Sequence, residues 1–326
     1  MEQLQPIRML WQKRADGSAA LLRFYGASAQ VHLPPRIEGR PLTEIAPYCF
    51  AGKQRDPGGD IGETVLGNPS ELPYLRELRT DAVEEVFLPD SVKRIGRYAF
   101  YNCKKLHTIH IGAALRDIGS DAFMNTLSFH RIILRCKAGE ASGIRQILAQ
   151  ISSDMEVCFW AGKAPEAVLL YPEYYESYDE VAPAHLFGRS ISGEGFRARQ
   201  CIRDGRVDFA GYDAVFPQAC VEEREETLAR MAQNRLRYPY ALSDQNREIY
   251  SAYVREHIRQ IAVRFTERKD LEALGFLREQ RLLSGAVCAE CAKAAAGLDW
   301  PEGAASLLGW IAAEKTEKKK RYDFDF

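Results

Sequence analysis

Long apolar runs are missing from this chain: no window approaches the ~18 consecutive apolar residues of a membrane-crossing helix. The greasiest stretch, Arg131 to Cys136, is short and flanked by charge. Membrane spanning is not expected. The opening Met1 to Arg14 has no basic start followed by an apolar core, so it does not read as a secretion signal and a cytoplasmic location is expected. An excess of either charge is also absent, with 44 Lys plus Arg against 45 Asp plus Glu. No global basic field exists to draw nucleic acid. Close cysteine pairs are scarce as well: the 8 cysteines are scattered over 326 residues and only Cys288 and Cys291 are near neighbours. That suits free thiols in a reducing compartment and predicts no disulfide framework.

What is present is an ordinary globular composition, 46% hydrophobic and 27% charged, in a chain about twice the length of a common domain. Two domains, or a repeat array with a cap, are implied. Self-similarity decides between them. Val86-Phe87-Leu88-Pro89, then Val92, Ile95-Gly96 and Ala99-Phe100, superimpose on Ile109-His110-Ile111, then Leu115, Ile118-Gly119 and Ala122-Phe123, at a 23-residue interval. A third strand, Ile132-Ile133-Leu134, keeps the same spacing. Upstream, Val31-His32-Leu33-Pro34, Ile37, Gly39, Leu42, Ile45-Ala46 and Phe50 repeat the pattern. The register breaks after Phe50, where Asp56 to Thr80 is punctuated by Gly and Pro and reads as an insertion.

In each short strand alternate side chains face opposite ways, so Ile109 and Ile111 point inward and His110 outward. No single repeat can bury its own Ile, Ala and Phe. Stacked neighbours can, which predicts a buried spine of Phe50, Phe100 and Phe123.

The motif Leu88-Pro89, Val92, Ile95-Gly96, Ala99-Phe100 and Cys103 resembles the BspA-type leucine-rich repeats, with a degenerate second copy ending Met124-Asn125-Thr126. The opening Ile37-Glu38-Gly39-Arg40-Pro41-Leu42 looks like the first repeat of such proteins. The resemblance covers about residues 31 to 136. It implies a repeat solenoid and an interaction module. From the look of its downstream part, the whole chain is similar to intracellular repeat proteins of anaerobic Firmicutes.

The fold class read from these patterns is α+β: a short leucine-rich repeat solenoid with an N-terminal β-hairpin cap, followed by an all-α domain. Residues 1–160 are the capped array, 161–217 an irregular connecting segment, and 218–326 a helical bundle or set of helix hairpins with a basic and aromatic tail. Ile7 to Lys13 and Ala20 to Tyr25, around Asp16-Gly17, form the cap. A helix from Ala141 to Ile151 and a strand Val157 to Trp160 close the other end. Beyond Val221 helical spacing takes over in Leu228, Met231 and Leu236, then Tyr250, Val254, Ile258, Ile261 and Phe265, then Leu271, Leu274 and Leu277. Ser243 and Ser284 are expected N-caps, and Asp299-Trp300-Pro301 starts the last helix.

Candidate chemistry is sparse. Cys288-Ala289-Glu290-Cys291 has the CxxC spacing, yet nothing completes a metal or redox site, and both cysteines fall on an apolar helix stripe with Val287, Ala292 and Ala295. Gly193-Glu194-Gly195-Phe196-Arg197-Ala198 fits GxGxxA without a preceding strand and reads as a flexible loop. Gly188 to Ser192 lacks the last Gly of a nucleophile elbow. His107 and His130 share a register, and a zinc ladder there has no defined carboxylate partner. No cofactor and no metal are expected.

The outward strand face carries the functional expectation. One row presents Phe87, His110 and Ile133 and another Glu85, Thr108 and Arg131. Apolar groups on an outward face ask for cover, either by a protein partner or by the insertion. Phe324 and Phe326 in the tail are candidates for a short docking motif. The tyrosines Tyr171, Tyr174, Tyr175 and Tyr178 suit interdomain packing better than a sugar or peptide platform. The reading is a non-catalytic protein–protein scaffold. The alternatives are a hydrolase or transferase in the irregular middle, using Asp204, Asp208 or His185, and a glycan-binding strand face.

Overall fold

The computed structural model describes residues 6–53, 58–181 and 186–322. The chain forms two compact units, Met1–Glu223 and Arg224–Phe326.

In the first unit the repeats wind a β-solenoid with a sheet on each of two sides. One sheet has the spatial order Ala167–Tyr171, Met155–Phe159, Arg131–Arg135, Thr108–Gly112, Glu85–Phe87, Gln30–His32. All its pairs are parallel except the first. Val31, Val86, Ile109, Ile132 and Val157 share one inward row, and all are fully buried. The second sheet runs Asp117–Ile118, Arg94–Ile95, Arg40–Ile45, Ala19–Gly26, Ile7–Lys13, Gly62–Leu66. The hairpin cap is thus a direct continuation of that second sheet: Ala19–Gly26 pairs in parallel with Arg40–Ile45 and antiparallel with Ile7–Lys13. Met9, Leu21 and Phe24 seal the end of the core.

Between the sheets stands the expected spine. Phe50 and Phe100 stack at 5.1 Å with planes 7° apart, Phe100 and Phe123 at 5.3 Å and 5°, and Phe129 closes the column at 5.1 Å from Phe123. The reason for Ile-Gly before the Phe is steric. A Cβ on Gly96 would lie 2.4 Å from the Pro47 nitrogen, and one on Gly119 would lie 2.3 Å from the Arg97 nitrogen. Each glycine lets one turn rest on the backbone of the turn before it, and the amides of Gly96 and Gly119 donate to the carbonyls of Ile45 and Ile95 at 2.8 Å. In the first turn the position is Ala46, which faces the hairpin: its amide donates to Leu21 at 2.9 Å. Two residues before each Phe the chain enters the left-handed region, at Tyr48, Tyr98 and Asp121, with φ of 61°, 56° and 53°.

Three expectations need correction. The array does not close at Val157 to Trp160: the strand is Met155–Phe159, and an antiparallel strand, Ala167–Tyr171, buried throughout, lies beyond it. The segment 161–217, read as irregular, also holds the hairpin Tyr175–Val181 with Leu186–Ser192, the short helix Gly195–Gln200 and most of the helix Phe209–Glu222. Its apolar signal was diluted by Tyr and Ser on strand faces. The insertion is not loop alone, since Gly62–Leu66 pairs with Ile7–Lys13 and Arg76–Glu77 with Ala19–Gly26.

The second unit is helical over its described residues: Glu225–Arg237, Asp244–Glu256, Ile258–Glu267, Leu271–Glu279, Gly285–Gly297 and Pro301–Tyr322. Ser243 and Ser284 cap as expected, accepting from the amides of Asn246 and Val287. Asp270 is a further cap, on Ala273. The run from Tyr250 to Phe265 is two helices, broken at His257, where ψ turns to 17°. Among the described residues no helix is long and apolar enough to cross a membrane.

Two substitutions test the stacking. Phe100→Ala is expected to cost about 3–5 kcal/mol. Gly119→Ala, which adds one methyl against backbone, is expected to cost about 1–3 kcal/mol. Chemical denaturation of the full chain reads both, and a Gly119→Ala protein as stable as the parent contradicts the close-approach argument.

Candidate functional site

On the outward side of the first sheet the registered rows are Gln30, Glu85, Thr108, Arg131 and Glu156, and beside it His32, Phe87, His110, Ile133 and Cys158. In the second row the rings form a ladder. His32 stacks on Phe87 at 4.0 Å and 11°, and Phe87 on His110 at 3.9 Å and 19°. Strands ~4.8 Å apart bring side chains of one row within stacking distance wherever each is planar. Phe87 therefore has both ring faces covered by imidazoles, and it is half-buried, as are His110 and Ile133. His32 is exposed.

The polar row is knitted to the ladder. Glu85 Oε1 lies 2.8 Å from His110 Nε2, and Gln30 Nε2 donates to Glu85 Oε2 at 3.1 Å. Arg131 pairs with Glu156 at 3.3 Å, and Arg135 reaches over to Asp90 at 2.7 Å. Thr108, placed in the displayed row by sequence, is buried, with His107 Nδ1 2.9 Å from its hydroxyl. Of the residues singled out from sequence, Glu85, Phe87, His110, Arg131 and Ile133 come together on this face. Phe324 and Phe326 lie outside the described residues. His32, Gln30 and Glu156 were missed as members, although the match of Val31-His32-Leu33-Pro34 to Val86-Phe87-Leu88-Pro89 carried the signal for His32.

The other candidates have structural uses. Asp208 caps the helix Phe209–Glu222 by accepting from Gly211 at 2.9 Å, and Asp204 sits at the tight turn between Ile202–Arg203 and Arg206–Val207. His185 lies outside the described residues. A strand, Leu186–Ser192, does precede Gly193-Glu194-Gly195, contrary to expectation, and the glycines lead into a helix rather than a loop. That strand belongs to an antiparallel hairpin, and a Cβ on Gly195 would meet Pro172 O at 1.9 Å. Backbone already fills the place a phosphate needs. Burial raises the carboxyls of Glu194 and Glu223 above their usual range. Glu194, paired with Arg197 at 2.9 Å, is buried. Cys288 and Cys291 are buried with Ala292 and Ala295. Among the described residues no group of three or more metal-type ligands exists. His107 and His130 stand 6.2 Å apart, and His130 Nδ1 is 2.7 Å from the Ser128 carbonyl. The tyrosines divide: Tyr171 and Tyr174 are buried, and Tyr175 and Tyr178 are exposed.

Residues 78–142 match the family model described as BspA type Leucine rich repeat region (6 copies). That stretch is similar to the BspA-type leucine-rich repeats. Among solved structures, the chain is similar to a leucine rich cell surface protein from Faecalibacterium prausnitzii A2-165, at 20% identity over 38% of this chain and 31% of that one, TM-score 0.27. It is also similar to a leucine rich repeat protein of T. pallidum, at 18% identity over 39% and 68%, TM-score 0.23. The chain thus spans about a third of the length of the first of these. No curated protein matches it.

The ladder carries a titratable ring. Burial pushes the His110 pKa below its ordinary 6.5, although hydrogen bonding and charge from Glu85 favour the proton. The folded ring holds less proton than the unfolded one between those two values, so stability rises with pH across that window and is lost on acidification from 6.5 down to the folded value. Thermal melts at stepped pH check this: the parent is expected to lose more stability than His110→Phe on acidification through 6.5. Parallel curves contradict the assignment.

Proposed function

We propose that the chain is a non-catalytic scaffold whose leucine-rich repeat array holds a protein partner on its outward strand face. The observation that carries this is the half-buried row of Phe87, His110 and Ile133, extended by His32, standing on a fully buried row one residue away. A repeat array separates these tasks: the spine holds the fold, and the outward rows vary without disturbing it. The described strands of the insertion add to the other sheet, which favours a partner over self-cover. Cytoplasmic action belongs to the same proposal and is supported by the scatter of the 8 cysteines along the chain. The even charge balance supports a protein rather than a nucleic-acid partner.

Quantitative pull-down with mass spectrometry tests the reading. Proteins held by the parent are expected to be lost from Phe87→Ala plus Ile133→Ala and retained by Val221→Ala, a control at an exposed position on the helix Phe209–Glu222. Unchanged capture by a double variant with an unchanged melting curve contradicts it.

A further inference from the structure

The two sheets end differently at the N-terminal side. Beyond the first repeat strand, Arg40–Ile45, the second sheet continues through Ala19–Gly26, Ile7–Lys13 and Gly62–Leu66. The first sheet stops at Gln30–His32, and among the described residues no strand lies beyond it. This strand bonds to its inner neighbour through the Ala29 carbonyl, which accepts from Glu85, and the Leu33 amide, which donates to Phe87. In a parallel pair the intervening residues turn their backbone groups the other way. The Gln30 amide is taken by Ser28 Oγ at 3.1 Å. The Gln30 carbonyl and both backbone groups of exposed His32 face the open edge. Pro34 and Pro35 have no amide and limit an added strand to this short stretch.

The side chains at that edge have a definite chemistry. One face of the His32 ring is covered by Phe87 and the other points along the ladder to the open side. Glu85 lies opposite Gln30 on the neighbouring strand, with its carboxylate 3.1 Å from the Gln30 side-chain amide at this edge. Elsewhere on this face the carboxylates of Glu156 and Asp90 have guanidinium partners. Among the described residues Glu85 meets only the His110 imidazole and the Gln30 side-chain amide. A planar cation suits both features, stacking on the imidazole and facing the Glu85 carboxylate.

We propose that the edge strand Gln30–His32 accepts an extended, arginine-bearing segment of a partner protein, which pairs with the open backbone groups and lays a guanidinium on His32 on the same face as Glu85. This rests on the scaffold reading and names the partner's chemistry: strand addition supplies the affinity, and the ring with the Glu85 carboxylate the selection.

Fluorescence anisotropy of the full chain with the labelled peptide Ser-Val-Arg-Val-Arg-Val-Ser tests it, beside a version with Glu for both Arg and one N-methylated at the central residue. The arginine peptide is expected to bind saturably, the Glu version about tenfold more weakly, and the methylated one not measurably. His32→Ala and Glu85→Gln should each weaken the arginine peptide about threefold or more. His32→Phe, which keeps a ring in the stack, should retain most of the binding and guards against a folding defect in His32→Ala. Equal affinity for the Arg and Glu peptides, no saturable binding up to about 1 mM, or indifference to both His32→Ala and Glu85→Gln overturns the proposal. If any of these accompanies partner loss in Phe87→Ala plus Ile133→Ala, only the edge proposal fails. Unchanged capture by that double variant fails the scaffold reading itself.

Discussion

A turn of about 23 residues has no interior of its own, and that constraint shapes the first unit. Burial exists only between successive turns, so each must lie on the last with its Phe over the preceding Phe. Three local features follow. Glycine stands where a Cβ would strike the previous backbone. A residue two before each Phe takes a left-handed conformation, which costs a non-glycine residue roughly 1–2 kcal/mol. Part of that is returned at Tyr48 and Tyr98, whose rings stack at 5.1 Å. The side chain two after the spine also stacks, Asn125 donating to Asn102 one turn away. The outward row obeys the same translation, so His32, Phe87 and His110 form a second ring column on the far side of the strands.

A stack must also end, and at both ends a buried arginine collects carbonyls that have no next turn to meet. At the N-terminal end Arg23 donates to the carbonyls of Tyr48, Cys49 and Lys53 and pairs with Glu77. At the other end Arg199 donates to Leu148, Ser153, Pro172 and Gly195 and lies over the Tyr174 ring at 5.0 Å. Burial pushes its pKa down to about 10, which leaves it charged at neutral pH. A guanidinium suits this place because its five donors spread over several acceptors at once. Removing either takes the guanidinium donor from a buried carbonyl, that of Cys49 for Arg23 and that of Pro172 for Arg199.

The repeated positions were legible in the sequence because the solenoid imposes one chemical demand at a fixed interval. Phe50, Phe100 and Phe123, the glycines and the inward strand residues all follow from it. So did Phe87, His110 and Ile133 as neighbours, since equal spacing fixes register. What lies outside the repeat was harder to read. Arg23 and Arg199 look like surface residues until their carbonyl partners are known, and all of those partners but Gly195 are 25 to 51 residues away in sequence. The strand Ala167–Tyr171 has no counterpart in the period, and its antiparallel direction is set by tertiary pairing alone. The break at His257 escaped detection because the apolar spacing continues across it, from Val254 to Ile258. Alternation puts Thr108 in the outward row, and its burial beside His107, whose Nδ1 lies 2.9 Å from the hydroxyl, is invisible to that pattern.

The division between a fixed spine and an outward row of rings is what makes a binding role physically economical here. The half-buried row is held in place by strands whose other faces are fully buried, so partner contacts meet a preformed surface. Native-state hydrogen exchange across a denaturant series tests this most directly. The amides of Phe50 and Phe100, which donate to Ala99 and Ala122 at 2.8 Å, lie at the heart of the stack. Both are predicted to exchange only through opening of the whole first unit, with one shared free energy and one denaturant slope. Separate opening of single turns, with Phe100 exchanging at a much lower free energy than Phe50, would contradict a spine that stands as one piece.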